Sequence, residues 1–176
     1  SPKNLLSKRV WYPPQDGINL PGDSFTLLDY RHQIISMHDY GGSFILIFFG
    51  YTNCPEICPT GFNNIAVTLD KLGVLEDNFA LFITIDPEKD DPAAHPDYVS
   101  RFYSRLIGLT GSAKQTKNVA DSYQICYTKS FLDNTEANHP SDYTMDHNTF
   151  YLLMGPGGKF VDMFGHGTSA EKMAAV

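Results

Sequence analysis

The sequence predicts an α/β fold, with a central mixed sheet flanked by helices. Three observations predict it. Ser43–Gly50 and Phe79–Ile85 are near-continuous apolar runs of strand length, the pattern of central strands covered on both faces. Between them, Phe62, Ile65, Ala66, Leu69 and Leu72 recur at helical spacing. Near the end, Thr149–Met154 and Lys159–Phe164 straddle Gly155-Pro156-Gly157-Gly158, a hairpin that adds antiparallel strands.

Residues 1–24, rich in Pro, Asp and Asn around Trp11 and Tyr12, read as an irregular lead-in, and 25–176 as a single domain. Phe25–Leu28 and Ile34–Met37 flank Asp29-Tyr30-Arg31-His32-Gln33, an expected N-terminal hairpin. The strand Ser43–Gly50, the helix Phe62–Leu72 and the strand Phe79–Ile85 follow, the last ending at Asp86-Pro87. Pro96–Leu106 reads as a helix with Tyr98, Val99, Phe102 and Leu106 on one side. Leu109-Thr110-Gly111 is expected to turn into a further helix, Ser112–Tyr123, with Ser112 as its N-cap. Ile125–Thr128 reads as a short strand, and 130–146 as a long polar connection. After the closing hairpin, a last helix opens near Ser169. Strands alternating with helices imply parallel pairs joined by right-handed crossovers. The order is the thioredoxin-like plan, with an N-terminal hairpin and a helical insertion.

A length of 176 residues is enough to bury a core without disulfide staples, and three cysteines are too few for a disulfide scaffold. The net charge of −7 and the lack of a basic stripe argue against a nucleic-acid partner. No segment approaches the ~20 apolar residues that span a bilayer. The chain opens Ser1-Pro2-Lys3 without Met, which leaves both a signal and a membrane anchor open as preceding segments.

The chemistry concentrates in Cys54-Pro55-Glu56-Ile57-Cys58, directly after the first central strand. Two thiols four positions apart can bind a soft metal or close a small disulfide. The spacing is one residue longer than the C-x-x-C of thioredoxin-type centres, which changes the bite of the sulfurs and enlarges the disulfide ring. Both cysteines precede proline, which disfavours α geometry, so the pair is expected on an exposed loop. Cys58 should then lie near the N-cap of the following helix and Pro59 at its first position. A helix N-terminus beside the sulfurs favours thiolate.

Zinc in a structural site needs four ligands, and there is no second cysteine pair. Cu(I) accepts two thiolates and one imidazole. His32, His38, His95, His139, His147 and His166 could supply the nitrogen. Position singles out His147, just before the strand Thr149–Met154, which begins beside the dithiol loop in this topology. Thioredoxins place a cis-proline there. Tyr143-Thr144-Met145-Asp146-His147 has none, which favours metal binding over redox turnover.

Four motifs in order, Gly50-Tyr51-Thr52-Asn53-Cys54-Pro55-Glu56-Ile57-Cys58-Pro59, Ile85-Asp86-Pro87-Glu88-Lys89-Asp90-Asp91-Pro92, Leu109-Thr110-Gly111 and Asp146-His147-Asn148, resemble the signatures of the Sco/SenC proteins. These are thioredoxin-like, copper-binding assembly factors of cytochrome c oxidase, and the resemblance spans roughly residues 20–170. It implies one copper ion held by Cys54, Cys58 and His147, with Asp86 and Pro87 beside the site as supporting or partner-contacting residues. It implies cytochrome c oxidase subunit II as copper acceptor, with a copper donor protein upstream. It also implies a membrane-tethered domain in the bacterial periplasm or the mitochondrial intermembrane space. Asn148 and Asn53 depart from the family's usual residues, and neither removes a ligand.

Two further readings share these residues. A thiol–disulfide oxidoreductase would use Cys54 to attack and Cys58 to resolve, keeping an acceptor's cysteines reduced. A peroxidase of the peroxiredoxin kind would set a threonine three residues before its reactive cysteine, whereas Thr52 lies two before Cys54. Elsewhere, Cys126 is expected as a small buried hydrophobe on a strand, and His166 as an exposed turn residue. The acidic run Glu88, Asp90, Asp91 lacks the glycine and distal glutamate of a calcium loop.

Overall fold

In a computed structural model, the structure describes residues 25–29, 31–36, 39, 42–51, 57–71, 78–90, 106–131, 143–147, 150–156, 158 and 160–175. The elements run β1 (Thr26–Asp29), β2 (Ile34–Ser36), β3 (Phe44–Gly50), α1 (Ile57–Lys71), β4 (Asn78–Thr84) and β5 (Leu106–Thr110). There follow α2 (Ala113–Ser122), β6 (Tyr127–Phe131), β7 (Tyr143–His147), β8 (Phe150–Met154), β9 (Phe160–Gly165) and α3 (Ala170–Ala174). Seven strands form one mixed sheet in the order β2-β1-β5-β4-β3-β8-β9, and β6 and β7 form a separate antiparallel ribbon.

The two apolar runs are the centre of this sheet. β3 pairs parallel with β4 from Phe44↔Asn78 to Gly50↔Thr84, and antiparallel with β8. Successive side chains of a strand face opposite sides, and β3 uses both. Phe48 meets Phe62 of α1 edge to face at 6.1 Å and stacks on Tyr151 at 5.2 Å. Its neighbour Phe49 reaches Tyr123, just after α2, at 5.9 Å. The sheet is therefore covered by α1 on one face and by the end of α2 on the other, as a doubly buried strand requires. Phe48, Phe62 and Phe82 are all fully buried.

The N-terminal hairpin is set by local chemistry. The Asp29 carboxylate accepts the backbone N–H groups of Arg31 and Gln33, both at 2.8 Å, and His32 takes a left-handed φ of 60° between them. Ser112 caps α2 as expected, in a full capping box with Gln115.

Four expectations are corrected. Leu106 ends no helix, and Leu109-Thr110 is no turn: Leu106–Thr110 is β5, parallel to β4 and antiparallel to β1. Its residues are buried on both faces, so the run shows no alternation, and Gly108 and Gly111 punctuate it. The rest of the expected helical insertion lies outside the described residues, as do residues 1–24. The short strand begins at Tyr127 rather than Ile125 and extends to Phe131. Both ends of the expected connection 130–146 are strand, paired from Tyr127↔His147 to Phe131↔Tyr143.

The fourth correction concerns the cysteine loop. α1 opens at Ile57, so Cys58 lies inside its first turn and Pro59 at its third position. The first four N–H groups of a helix have no intrahelical acceptor, so a proline there removes no bond, and the preference of the preceding residue is overridden.

Candidate metal centre

The candidate site lies at the point where the ends of β3 and β4 run side by side. Gly50 closes β3 and accepts the Ile85 N–H at 2.9 Å, which carries the β3–β4 pairing one residue beyond the strands. From there the chain enters the cysteine loop on one side and Asp86-Pro87 on the other. Cys54 lies outside the described residues. Of Cys58 and His147 the backbone alone is described, in the first turn of α1 and at the last position of β7.

The ribbon carrying His147 is joined to these strand ends by side chains. Tyr51, immediately before the cysteine loop and 5% exposed, accepts the Met145 N–H on its hydroxyl oxygen at 3.3 Å. The Tyr143 hydroxyl lies 2.9 and 3.0 Å from the two oxygens of Asp86. Lys89 and Lys129 place their ammonium groups 3.8 and 4.5 Å from the centre of the Tyr143 ring, and Lys129 also pairs with Glu88 at 3.2 Å. Asp86 and Asp90 are both buried; the Thr84 hydroxyl donates to Asp90 at 2.6 Å and accepts the Asp86 N–H at 3.0 Å. Burial, with the bond to Asp86 and the surrounding carboxylates, holds the Tyr143 phenol well above the usual tyrosine range.

A small cavity of about 140 Å³ opens beside the ribbon, lined among others by Asp86, Pro87, Tyr127, Lys129 and Met145. Tyr127 faces His147 in the ribbon's register, and burial raises its phenol too.

The resemblance implies Asp86 beside the candidate site; Tyr51, Tyr127 and Tyr143, which lie around the strand ends and the ribbon, are not singled out by the sequence. The alternation Tyr143-Thr144-Met145-Asp146 was the available strand signal. Two bland expectations also shift. Cys126 is a half-buried residue one position before β6, because the strand starts later than expected. His166 does stand in a turn but is only partly exposed, with its Nδ1 buried and without a hydrogen-bond partner among the described residues. It lines an open pocket together with Asn63 and Asn64 of α1.

The SCO1/SenC family pattern matches residues 14–176. The chain belongs to the SCO1/SenC family. Among relatives, protein sco1 of Schizosaccharomyces pombe is 32% identical over 156 residues, which are 87% of this chain and 58% of the relative. The chain therefore spans less than two thirds of that protein's length. Among solved structures, Arabidopsis thaliana ScoI with copper bound is similar at a TM-score of 0.76 and 32% identity, over 86% of this chain and 92% of that one. Bradyrhizobium japonicum ScoI with copper bound gives 0.75 and 35%, over 86% and 94%. These SCO1/SenC neighbours share the thioredoxin-like arrangement of a mixed sheet between helices.

Proposed function

We propose that this chain is a copper metallochaperone. In its reduced form it binds one copper ion through Cys54, Cys58 and His147, and it delivers the ion to the copper centre of cytochrome c oxidase subunit II during assembly. The observation that carries the reading is the SCO1/SenC match over nearly the whole chain, with relatives of 32–35% identity solved with copper bound. The donor set fits the cargo: two soft thiolates satisfy Cu(I), and an imidazole adds the nitrogen that Cu(II) prefers. Cys58 in the first turn of α1 sits where free N–H groups and the helix dipole favour thiolate. Transfer then proceeds by ligand exchange, with the acceptor's donors replacing this chain's one at a time, so the ion is never released into water.

No helix among the described residues is long and apolar enough to cross a membrane. The proposed setting is an extracytoplasmic domain tethered to a membrane.

A second reading, thiol–disulfide exchange with the acceptor's cysteines, draws on the same place of Cys58 at the helix start. The two readings share reduced thiols and differ in cargo. Metal analysis of the reduced protein decides the first: one copper per chain is expected. His147→Ala should keep weak Cu(I) capture by two sulfurs and lose Cu(II). Binding unchanged in both oxidation states removes His147 from the ligand set.

A further inference from the structure

Among the described residues, the ribbon of β6 and β7 shares no backbone ladder with the seven-stranded sheet. Its attachment near the site is through side chains, and two of them act on β7 itself. Tyr143 at its first residue is tied to Asp86, and Met145 at its middle is tied to Tyr51. Positions 143, 145 and 147 fall on one face of a strand with a two-residue period. The first two side chains are 8% and 5% exposed.

We propose that Asp86, acting through Tyr143, is a positioning residue for copper, because it fixes the strand whose last residue is His147. The proposal rests on the reading of His147 as a ligand and adds what holds it there. Asp86 suits the task because it is itself immobile. It is 3% exposed, its N–H is held by Thr84, and its carbonyl accepts the Lys89 and Asp90 N–H groups at 3.3 and 3.0 Å. Its backbone is also one residue from Ile85, which is bonded to the end of β3. The tether therefore references β7 to the strand end from which the cysteine loop departs. Tyr51 repeats the arrangement from the loop side, since its own position immediately precedes residues 52–58.

A five-residue strand extends roughly 13 Å from its first to its last residue. Released at Tyr143 and still held at Met145, β7 pivots with its partner β6 about its own middle, and His147, two residues beyond that point, moves with it. A two-thiolate Cu(I) site tolerates that movement, whereas Cu(II), which draws on the imidazole, does not. Disturbing residues that orient a ligand typically costs about 10–100-fold in metal affinity.

The test compares wild type, Tyr143→Phe, Asp86→Glu, Asp86→Asn and His147→Ala as full chains, using copper itself as probe. Tyr143→Phe is expected to weaken Cu(II) about 10-fold and to alter the nitrogen couplings in its electron paramagnetic resonance spectrum, with Cu(I) affinity changed less than about 3-fold. Asp86→Asn keeps an acceptor for the hydroxyl and should stay near wild type. Asp86→Glu keeps the charge but displaces the carboxylate, and should follow Tyr143→Phe; it carries the test if Tyr143→Phe does not fold. In the reduced, copper-free protein, the His147 ring resonances should broaden or double in the same two variants. Wild-type Cu(II) affinity and ring resonances in both variants, even with a lowered melting temperature, overturn the proposal and leave a merely structural contact. If His147→Ala binds Cu(II) like wild type, the ligand reading itself has failed and the positioning role falls with it. If His147→Ala loses Cu(II) while Tyr143→Phe and Asp86→Glu do not, only the positioning role is overturned.

Discussion

The Tyr143 hydroxyl meets both carboxylate oxygens of Asp86, at 2.9 and 3.0 Å, across 57 positions of sequence. A single O–H shared between two acceptor oxygens leaves little rotational freedom on either side. The contact is buried, since both residues are less than a tenth exposed. Removing one partner therefore exposes the other to the cost of an unsatisfied group in a low-dielectric place.

Tyr143→Phe should lower stability at neutral pH by about 1.5–3 kcal/mol, the range for a hydrogen bond to a charged group. The pH dependence has a definite sign. The folded phenol holds its proton above the ordinary range, whereas the unfolded one releases it near pH ~10. The contribution is thus complete below about pH 10 and declines as pH rises toward the folded value. Urea unfolding at pH 8 and at pH ~10.5 should show a smaller alkaline loss in Tyr143→Phe than in wild type. Tyr127, raised by burial as well, keeps some of the loss in both proteins. An equal alkaline loss in the two would contradict the assignment.

Gly61 reports how tightly the start of α1 is pressed on the sheet. A Cβ there would lie 3.0 and 3.2 Å from Cζ and Cε1 of Phe48, and 3.3 Å from the Tyr151 hydroxyl oxygen. Phe48 is hemmed by Phe62, Phe82 and Tyr151 and has nowhere to move. Replacing a helical glycine with alanine ordinarily gains up to about 1 kcal/mol, while overpacking costs about 1–3 kcal/mol. Gly61→Ala should therefore destabilise, by about 1 kcal/mol on balance. Asn63→Ala, on the exposed face of the same helix, should be neutral or slightly stabilising. Urea midpoints at unchanged slope measure both, and a stabilised Gly61→Ala would show that Phe48 can yield.

What the residues declared by themselves was the part of the fold in which burial is continuous or periodic. β3, β4 and α1 carry such patterns, and Ser112 and Gln115 form the expected cap. β5 was hidden because both its faces are buried and glycines sit within and after it. β7 was hidden because a polar stretch around it masked five alternating residues. The cysteine motif and His147 were legible as types at a spacing. Their scaffold was not: Tyr51 with Met145 and Asp86 with Tyr143 are contacts 94 and 57 residues apart, and nothing local in the chain announces them.

Oxidation should compete with copper. A Cys54–Cys58 disulfide consumes the lone pairs and charge that bind the soft ion, and the short loop lets the two sulfurs meet. Fully oxidised protein should hold far less than one copper per chain, and reduction should restore it. Thiol titration beside metal analysis checks this. Full copper stoichiometry with no free Cys54 or Cys58 thiol would mean that other donors carry the ion.

The last prediction separates transfer of copper from transfer of electrons. A general disulfide reductase needs an attacking thiolate, a resolving thiol and a surface that aligns a foreign disulfide with both. Cys58 stands in the first turn of α1, a position where a helix start favours thiolate. The ring is one residue larger than that of thioredoxin-type centres, and the segment Tyr143–His147 contains no proline to align a mixed disulfide. Orientation would then have to come from a docked acceptor, and a generic substrate supplies none. Insulin reduction by dithiothreitol should be accelerated far less by this chain than by an equal amount of a thioredoxin, under conditions where the reduced chain binds Cu(I) tightly. Turnover comparable to the thioredoxin would move the oxidoreductase reading ahead of the metallochaperone, because orientation would then be built into this chain.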